Sequence, residues 1–573
     1  MTQDPPPISS DPDNVGEPPP LKGITSVRTT AVLSAAELAE QLVPRTSPVH
    51  EQVGEDPHHF VLVNGPFDFY ERRLTVGQPD GEGAVEVETV TQFKLAIPVW
   101  GWMFRGLFIK ALRKPPPPGK DLWWAPPETM DARAARSLSL LCAMGAFAAY
   151  LGTLLSQTNT FIRSEFGLNP SEIANALVAV RLGALLALVV MLTADKQGRK
   201  RVLVGSLVIA CVVTATGAVA PNIAFLGISQ GIARAFSATV GGLALIMAAE
   251  EMPKNSRAFA VSMLTMAGAV GAGGVVLFLD LADRAPWAWR VFFAVPLLFI
   301  VPVLRLARSL TETRRFEVRE ENRGLEVPPE TRPPATPGAE SAGSGPASRT
   351  ASQLRRFVVM ALGAFLINLF VVPGSNFLND FLRDQHGFSG GQISLFQFIT
   401  TVPGAISIIV GGQLADRFGR RPIGAIGVAG IAVFNVLMFQ ATGGAIWMMS
   451  LLGTLVGALA VPALGTYNAE MSPTGSRGRF GGGVNLVGVL GGVVGLKFAG
   501  ILAGPEHFGS YTTPMTLLGI GPALLVIVVL LFYPETANRE LEDLNPGDAA
   551  PPTSPADLAA LDADFRLHHP DDA

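Results

Sequence analysis

Three basic side chains interrupt long apolar stretches of this chain: Arg181, Arg234 and Lys497. No acidic residue lies at a comparable depth in these stretches to neutralise them. A charge inside an apolar, membrane-length segment is costly, so each of these residues is a candidate for function. A guanidinium group binds carboxylates and phosphates through paired hydrogen bonds. Arg234 and Arg181 therefore predict a site for an anion, whereas Lys497, near one end of its segment, can extend to the membrane surface.

Arg234 belongs to a stripe of polar and small residues. At helical spacings of three or four, the same face carries Gly227, Gln230, Ser237 and Gly241. We expect this face to line a substrate path, with Arg234 as a ligand and Gln230 beside it. The alternative is a structural role, in which Arg234 donates hydrogen bonds to backbone carbonyl groups.

Neutral polar residues in two other segments could complete such a site. Gln157 lies at the end of the first long apolar segment, and Asn376 follows Pro373 and Gly374 in another. Proline and glycine interrupt a helix and leave carbonyl groups free to bind a ligand. We expect Gln157 and Asn376 to contact the substrate together with Arg234, unless the stretch around Asn376 is only the beginning of a loop.

A short charged motif occurs twice, about 220 residues apart. Its copies read DKQGRK and DRFGRR. In each copy the glycine permits a tight turn, and the basic residues hold that turn at the lipid headgroups. A carboxylate at the C-terminal end of a helix opposes the helix dipole and needs a positive partner, which suggests a gate that closes and opens. The alternative is that the basic residues only fix the orientation of the loops. The residues assigned to the gate are Asp195, Gly198, Arg199, Lys200, Asp416, Gly419, Arg420 and Arg421.

Further charged residues repeat with nearly the same offset. The repeated pairs are Glu250 with Glu470, Arg257 with Arg477, and Glu312 with Glu535. We assign the first two pairs to the gate as well, and the alternative is that they are solvated loop residues. Sets that repeat at one offset indicate that a block of about 220 residues has been duplicated.

The composition places the chain in a membrane. Of its 573 residues, 49% are hydrophobic and only 16% are charged, and the apolar residues lie in long runs. The net charge is -4, and no basic footprint for nucleic acid is present. Both cysteines, Cys142 and Cys211, lie inside apolar runs, where cysteine is typically a packed small hydrophobe. We therefore expect no cofactor and no metal site.

Twelve apolar segments are each about twenty residues long, enough to cross a hydrocarbon core of about 30 Å. Six lie on each side of a polar segment rich in Pro, Glu, Ser and Gly, which predicts a flexible loop at 309–352. The expected fold is an all-α polytopic membrane protein, with six-helix halves at 137–308 and 353–532 and a tail at 533–573.

The residues before the first apolar segment predict a small extension. Residues 1–20 are rich in Pro and Asp and are expected to be disordered. Residues 21–114 predict a cytoplasmic α+β module of one helix and three strands that ends in a basic amphipathic helix. That helix either lies on the membrane surface or completes the core of the module. Residues 115–136 predict a linker, and we expect no signal peptide.

Basic residues are several-fold more frequent in one set of connecting loops, the set that carries both motifs. By the positive-inside rule, these loops, the central loop and both termini lie on the cytoplasmic side of a plasma (inner) membrane.

These patterns resemble the major facilitator superfamily over residues 137–545. Besides DKQGRK and DRFGRR, the phrases EEMPKNSR, AEMSPTGSRGR, TETRRF and PETANRELEDL are similar to its sugar-porter and metabolite-symporter branch. The resemblance implies two six-helix repeats that work by alternating access, with helices 1, 4, 7 and 10 lining the path. It also implies that Asp195 meets the helix beginning near Arg477, and that Asp416 meets the helix beginning near Arg257.

The chain departs from three branches of this superfamily. The stretch VVPGSNFLNDFL lacks the Gln and Tyr pairs of hexose porters, and AAYLGTLLSQTN lacks the first-helix acid of many proton symporters. The fifth segment lacks the Gly-Pro phrase of drug antiporters. A hexose is therefore disfavoured. The acids left as candidates for proton coupling are Asp280, Asp380, Glu250 and Glu470.

The sequence predicts a secondary active transporter of a small polar organic solute, with protons as an optional coupling ion. An anion such as a carboxylate is favoured over a sugar-like metabolite because the central residues are cationic. Two alternatives are an efflux antiporter and a non-transporting sensor or scaffold that uses the extension. An enzyme is not expected, and the expected partners are the solute and the lipid bilayer, without nucleic acid. We expect a monomer.

Overall fold

A computed structural model describes residues 23–79, 84–115, 122, 124–126, 128–253, 256–313, 346–465, 467, 471 and 477–536. The side chains of Asp195, Asp416, Arg477 and residues 346–352 are not among those described. The tail at 1–20, most of the central loop, Glu470 and most of the C-terminal tail lie outside these ranges.

Within the described ranges, twelve helices are long and apolar enough to cross a membrane. Six precede the central loop and six follow it, which confirms the predicted all-α polytopic fold. We number them as spans 1 to 12: Ala132–Phe166, Pro170–Met191, Arg199–Val219, Ile223–Glu251, Phe259–Ala282, Trp289–Ser309, Gln353–Gln385, Gly390–Gly412, Arg420–Met438, Gly444–Gly465, Phe480–Leu502 and Thr512–Phe532. The helix of span 7 begins earlier than the hydropathy suggests, at Pro346.

Spans 2 and 8 begin with the same local structure, as expected of duplicated segments. The Glu172 carboxylate accepts a hydrogen bond from Asn169 N at 2.8 Å, and the Gln392 amide oxygen accepts one from Ser389 N at 2.9 Å. Each is a capping box that satisfies free backbone donors at a helix start. Both helices continue beyond their apolar parts, to Gln197 and Phe418.

The contacts divide the chain into two compact units. Unit 1 comprises residues 1–145, 244–267 and 306–315, and unit 2 comprises 146–243, 268–305 and 316–573. The α+β extension belongs to unit 1, and the residue pairs that join the two six-helix halves belong to unit 2.

The extension is built on one five-stranded antiparallel sheet of order β1-β5-β4-β3-β2. The strands are β1 Thr25–Leu33, β2 His50–Val53, β3 His59–Asn64, β4 Phe67–Pro79 and β5 Val85–Leu95, with helices α1 Ala35–Gln41 and α2 Gly101–Arg113. The α+β class is confirmed, but the number of strands was underestimated. β1 is an edge strand with mostly exposed side chains and β2 has only four residues, so neither carries a clear apolar alternation.

The amphipathic helix α2 packs on this sheet. Phe108 and Leu112 lie in one apolar cluster with Phe67, Tyr70 and Phe93 of the strands. The rings of Phe67 and Phe108 meet edge to face at 5.2 Å between centroids. The buried face of α2 therefore completes the core of the module, which was one of the two alternatives for this helix. The opposite face is exposed.

A buried ion pair crosses the sheet of the extension. Arg72 and Glu51 are both without solvent contact at the side chain, and Arg72 Nη2 lies 2.6 Å from Glu51 Oε2. Arg72 also donates from Nε to Glu51 Oε1 at 3.0 Å and from Nη1 to Gln41 O at 2.9 Å. Tyr70 donates to the same carboxylate. Burial raises the pKa of the Tyr70 phenol, and the negative charge of Glu51 adds to that rise.

The extension contacts the beginning of span 1. Trp100 Nε1 donates to Ser139 O at 3.2 Å, and Arg136 pairs with Asp68 of β4. Arg133 in turn pairs with Glu251 at 2.7 Å and donates to Glu312 O at 2.9 Å. Because these bonds are all inside unit 1, that unit combines the extension with span ends.

Candidate functional site

Spans 2 and 4 approach each other through glycine. A Cβ atom on Gly183 would overlap the Gly231 carbonyl, and one on Gly231 would lie 3.1 Å from Ala179 O. A Cβ on Gly227 would lie 3.1 Å from Ala176 Cα. Small residues allow helices to pack this closely inside a membrane, where backbone contact and van der Waals packing stabilise the crossing. This crossing brings Arg181 of span 2 close to Arg234 of span 4.

Arg181 and Arg234 form what we term the arginine pair. Both side chains are half-buried, and their positive charges are close enough to repel each other. The guanidinium of Arg234 lies against span 1 at Gly152, where a Cβ atom would overlap its Nη1. In the part of the chain that the structure describes, neither guanidinium has a hydrogen-bond acceptor or a carboxylate partner. The arginine pair is a concentration of positive charge without internal compensation.

Gln230 has a different environment from the one its spacing suggested. Its Nε2 donates to Thr214 O of span 3 at 3.4 Å and to Ser229 Oγ at 3.3 Å, and the residue is buried. The amide nitrogen therefore joins spans 3 and 4, and a role for Gln230 as a ligand stays a prediction.

Gln157 joins the two six-helix halves. Its backbone oxygen accepts from Asn379 Nδ2 at 2.8 Å, and its side-chain oxygen accepts from the same nitrogen at 3.1 Å. Gln397 Nε2 of span 8 donates to the same side-chain oxygen at 3.1 Å and to Asn379 Oδ1 at 2.7 Å. Gln157 is thus held by two residues of the other half.

Asp380 lies beside these amides. Asn159 Nδ2 of span 1 donates to Asp380 Oδ2 at 2.9 Å and to Asn376 O at 2.8 Å. Arg163 Nε lies 3.4 Å from Asp380 Oδ1, and Arg163 also pairs with Asp384. The Asn376 side chain bonds within its own helix, to Val372 O at 2.8 Å. We call this group the inter-half cluster; its members are Gln157, Asn159, Arg163, Asn379, Asp380, Asp384 and Gln397.

Further pairs also join the two halves. Asp283, after span 5, pairs with Arg383 and accepts from Gly390 N, and Lys497 donates to Asn175. Relative to the spans, these contacts lie at the ends away from the two repeated motifs. The geometry therefore includes a charged interior site and a hydrogen-bonded junction at one end of the halves.

The sequence model of the Major Facilitator Superfamily matches residues 139–382 and 360–561. The chain belongs to the major facilitator superfamily. As a member it is a secondary transporter and a multi-pass membrane protein.

The matches to relatives in the superfamily extend over most of each relative's length. A putative metabolite transport protein of Haemophilus influenzae is 26% identical over 410 residues, which is 68% of this chain and 93% of the relative. The cis,cis-muconate transport protein of Acinetobacter baylyi is 24% identical over 398 residues, 65% of this chain and 89% of the relative. The crystal structure of a D-xylose-proton symporter matches with a TM-score of 0.56 and 17% identity, over 70% of this chain and 98% of that one. That likeness concerns the fold.

The superfamily motif of the second half has a defined turn. Gly419 has a φ of 100°, and a Cβ there would lie 2.6 Å from Glu535 Oε2. The Glu535 carboxylate accepts hydrogen bonds from Arg420 N at 2.9 Å and Arg421 N at 3.1 Å. A carboxylate at a helix N-terminus accepts hydrogen bonds from the free amides there. It is also stabilised by the positive end of the helix dipole. Gly198 has the same backbone conformation, with a φ of 93°.

The structure describes the other gate residues only in part. Backbone positions of Asp195 and Asp416 are described, but their side chains are not, so the pairing that the superfamily implies stays a prediction. Glu250 and Arg257 are half-buried, and Glu470 and Arg477 lie outside the described side chains. Sequence reasoning did not assign Glu251 or Arg133 to the gate, although they form an ion pair.

Proposed function

We propose that this transporter carries an organic anion, in particular a carboxylate, and that the arginine pair binds it. The observation that supports this proposal is that Arg181 and Arg234 share one region of the spans without a carboxylate or acceptor among the described residues. An uncompensated cation in a low-dielectric interior is unfavourable, and a bound anion removes that cost.

The chemistry of guanidinium favours a carboxylate over a neutral solute. Its planar donors match the two oxygens of a carboxylate, and such charge-assisted pairs are stronger than neutral hydrogen bonds. A sugar would leave the positive charge uncompensated. A relative that matches over 398 residues is named for cis,cis-muconate, which carries carboxylates, and this agrees with the proposal.

The inter-half cluster supports alternating access. If the basic loops are cytoplasmic, the ends that carry the cluster lie on the outer side of the membrane. Bonds between the halves at that side would close the outer entrance, and the arginine pair would then be reached from the cytoplasm. We infer that the structure corresponds to the inward-facing state.

Asp380 is our candidate for the coupling proton site. Its Oδ1 is buried beside the hydroxyl of Thr160 and lies 3.4 Å from Arg163 Nε. A proton on Oδ1 would supply a donor. The groups that act on this carboxylate are Arg163, Arg383, Asn159, Thr160 and Tyr511, with Asp384 sharing the charge of Arg163. When the halves separate, Asp380 exchanges Asn159, Thr160 and Arg163 of span 1 for water, so proton binding and conformation are linked.

The test of the anion site compares purified variants. Arg234→Gln should lower carboxylate affinity about ten- to hundredfold, because a hydrogen bond to a charged group contributes about 1.5–3 kcal/mol. Arg234→Lys should keep part of that affinity, since it keeps the charge but loses the bidentate geometry. The control is Arg28→Gln, which removes an exposed ion pair in the extension.

Ligands for this test are a carboxylate and the amide of the same skeleton. Tighter binding of the carboxylate, lost in Arg234→Gln, is the expected result. Unchanged affinity in monodisperse Arg234→Gln would remove the arginine pair as the site. Uptake and efflux by proteoliposomes of fixed orientation separate an importer from an efflux antiporter.

A further inference from the structure

Helix α2 of the extension has two faces with opposite environments. Phe108 and Leu112 are buried against the sheet, whereas Trp102 is 76% exposed and Met103 is 43% exposed. Large apolar side chains at this exposure are unfavourable in water, and a contiguous set of them marks an interaction surface.

The exposed side of α2 is also strongly basic. It carries Arg105, Lys110 and Arg113, with Lys114 directly after the helix, and the helix contains no acidic residue. Within the described ranges none of these four has an ion-pair partner. Tryptophan and methionine next to unpaired cations form the pattern of a helix that lies in the surface of an anionic membrane. We call the exposed residues Trp102, Met103, Arg105, Lys110 and Arg113 the basic face of α2.

Hydrogen bonds fix the residues before α2 against span 1. Val99 N donates to Ser139 Oγ at 3.4 Å, and Trp100 Nε1 donates to Ser139 O at 3.2 Å. Ser139 is seven residues beyond the start of the helix at Ala132, which is about 10 Å at 1.5 Å per residue. Arg133 and Arg136 precede it and an apolar run follows. Because indole NH groups favour the boundary between hydrocarbon and headgroups, Trp100 and Ser139 mark that boundary.

We propose that the basic face of α2 binds anionic phospholipid headgroups at the membrane surface beside span 1. The proposal is independent of what the transporter carries. It rests on three observations: the exposed Trp102 and Met103, the unpaired basic residues, and the attachment of the helix start at the boundary of span 1. A soluble partner protein could use the same charges, but the attachment to Ser139 holds the face beside the first turns of a membrane-spanning helix. Each basic residue near an anionic surface adds to the attraction.

The test measures the depth of α2 in the full-length protein. Cys142→Ala and Cys211→Ala remove the native thiols, and a nitroxide is attached at Met103→Cys. The protein is placed in vesicles of phosphatidylcholine with phosphatidylglycerol, and access of the label to oxygen is compared with access to a water-soluble nickel chelate. The control label is at Val63→Cys on β3, a residue of the same extension that is 56% exposed. We expect oxygen to dominate at Met103 and the nickel chelate at Val63. Equal access of the chelate to both labels would overturn the proposal.

Charge is tested by two matched triple variants. Arg105→Gln, Lys110→Gln and Arg113→Gln together should shift the Met103 label toward the aqueous value in phosphatidylglycerol vesicles. The same number of charges removed from the sheet, at Arg28, Arg73 and Lys94, should leave it unchanged. The Val63 label reports whether the extension of each variant stays folded. If the first triple variant behaves like the second while that label is unchanged, anionic headgroups are not the ligand.

Discussion

Arg72 in the extension and Arg234 in span 4 are both withdrawn from water, but their surroundings differ. Arg72 is fully buried, contacts both oxygens of Glu51, and donates to a backbone carbonyl. Arg234 is half-buried and, among the described residues, has neither kind of partner. A buried cation whose donors are satisfied by its own chain stabilises one conformation. A cation left unsatisfied is available to a ligand. The comparison separates a structural arginine from one that we propose binds the substrate.

The largest effect should follow from removing the partner of Arg72. Glu51→Gln leaves a buried guanidinium uncompensated, which costs about 3–5 kcal/mol. The extension should therefore open more often, and amide exchange in β2 to β5 of the full-length protein should accelerate at least about a hundredfold. The matched control is Glu88→Gln, which breaks an exposed pair with Arg28 and should cost no more than about 1 kcal/mol. Equal exchange in both variants would contradict the role of the buried pair.

Asp380 is intermediate between the two arginines, because one of its oxygens accepts a hydrogen bond from Asn159 at 2.9 Å whereas the other lies 3.4 Å from Arg163 Nε. Asp380→Asn should abolish accumulation of substrate driven by a pH gradient while exchange of labelled for unlabelled substrate continues. The reason is that exchange needs no net proton release. Asp384→Asn, which removes the other carboxylate of Arg163, should retain the response to the gradient. Normal accumulation by Asp380→Asn would exclude it as the proton site without affecting the anion site.

Gly152→Ala alters the position of Arg234 without changing any charge. The added Cβ would overlap the guanidinium, so the side chain must move. We expect a loss of carboxylate affinity of roughly threefold to tenfold, corresponding to weakening of one hydrogen bond to a charged group. Gly145→Ala in the same helix is the control, since its Cβ would make an ordinary contact at 3.9 Å with Leu264. Isothermal titration calorimetry on both purified variants measures the carboxylate affinity. Equal affinities would mean that binding does not depend on the position of Arg234 beside Gly152.

Arg234→Met should have the smallest effect, which is on the thermal stability of the protein. No internal hydrogen bond is lost among the described residues, and a charge is removed from a low-dielectric region. The melting temperature in detergent should stay within about 2 °C of the parent or rise. Arg72→Met is the counterpart, since it leaves Glu51 buried without its cation, and it should accelerate amide exchange in the extension. A strongly destabilised Arg234→Met would indicate that Arg234 is structural after all.

The spans could be read from the sequence because their signal is local. Each apolar run is long enough by itself, and repeated motifs divide the runs into two halves. Arg181 and Arg234 were identifiable for the same reason, as charges within such runs. Gln230 shows where this reasoning ends: helical spacing places it on the face of Arg234, but its amide bonds to Thr214 of another span.

The inter-half cluster could not be assembled from the sequence. Asn159 and Asp380 are 221 positions apart, and each sits at a helix end where polar residues are common. Their meeting depends on how two halves approach each other. One signal could have suggested Arg163 and Asn159. Both are polar residues in the last two turns of a span, at the end of the span away from the motifs.

The composition of the inter-half cluster has a kinetic consequence. Four bonds between the halves are made by neutral amides of Gln157, Asn159, Asn379 and Gln397, and each such bond contributes only about 1 kcal/mol. Thermal motion can break bonds of this size one after another, so separation need not wait for one rare event. Neutral bonds are also little affected by ionic strength, since salt screens charges. The neutral part of the junction should come apart in small steps, at a rate that responds to temperature more than to salt, and the ion pairs of Arg163 with Asp380 and Asp384 are the part that salt can weaken.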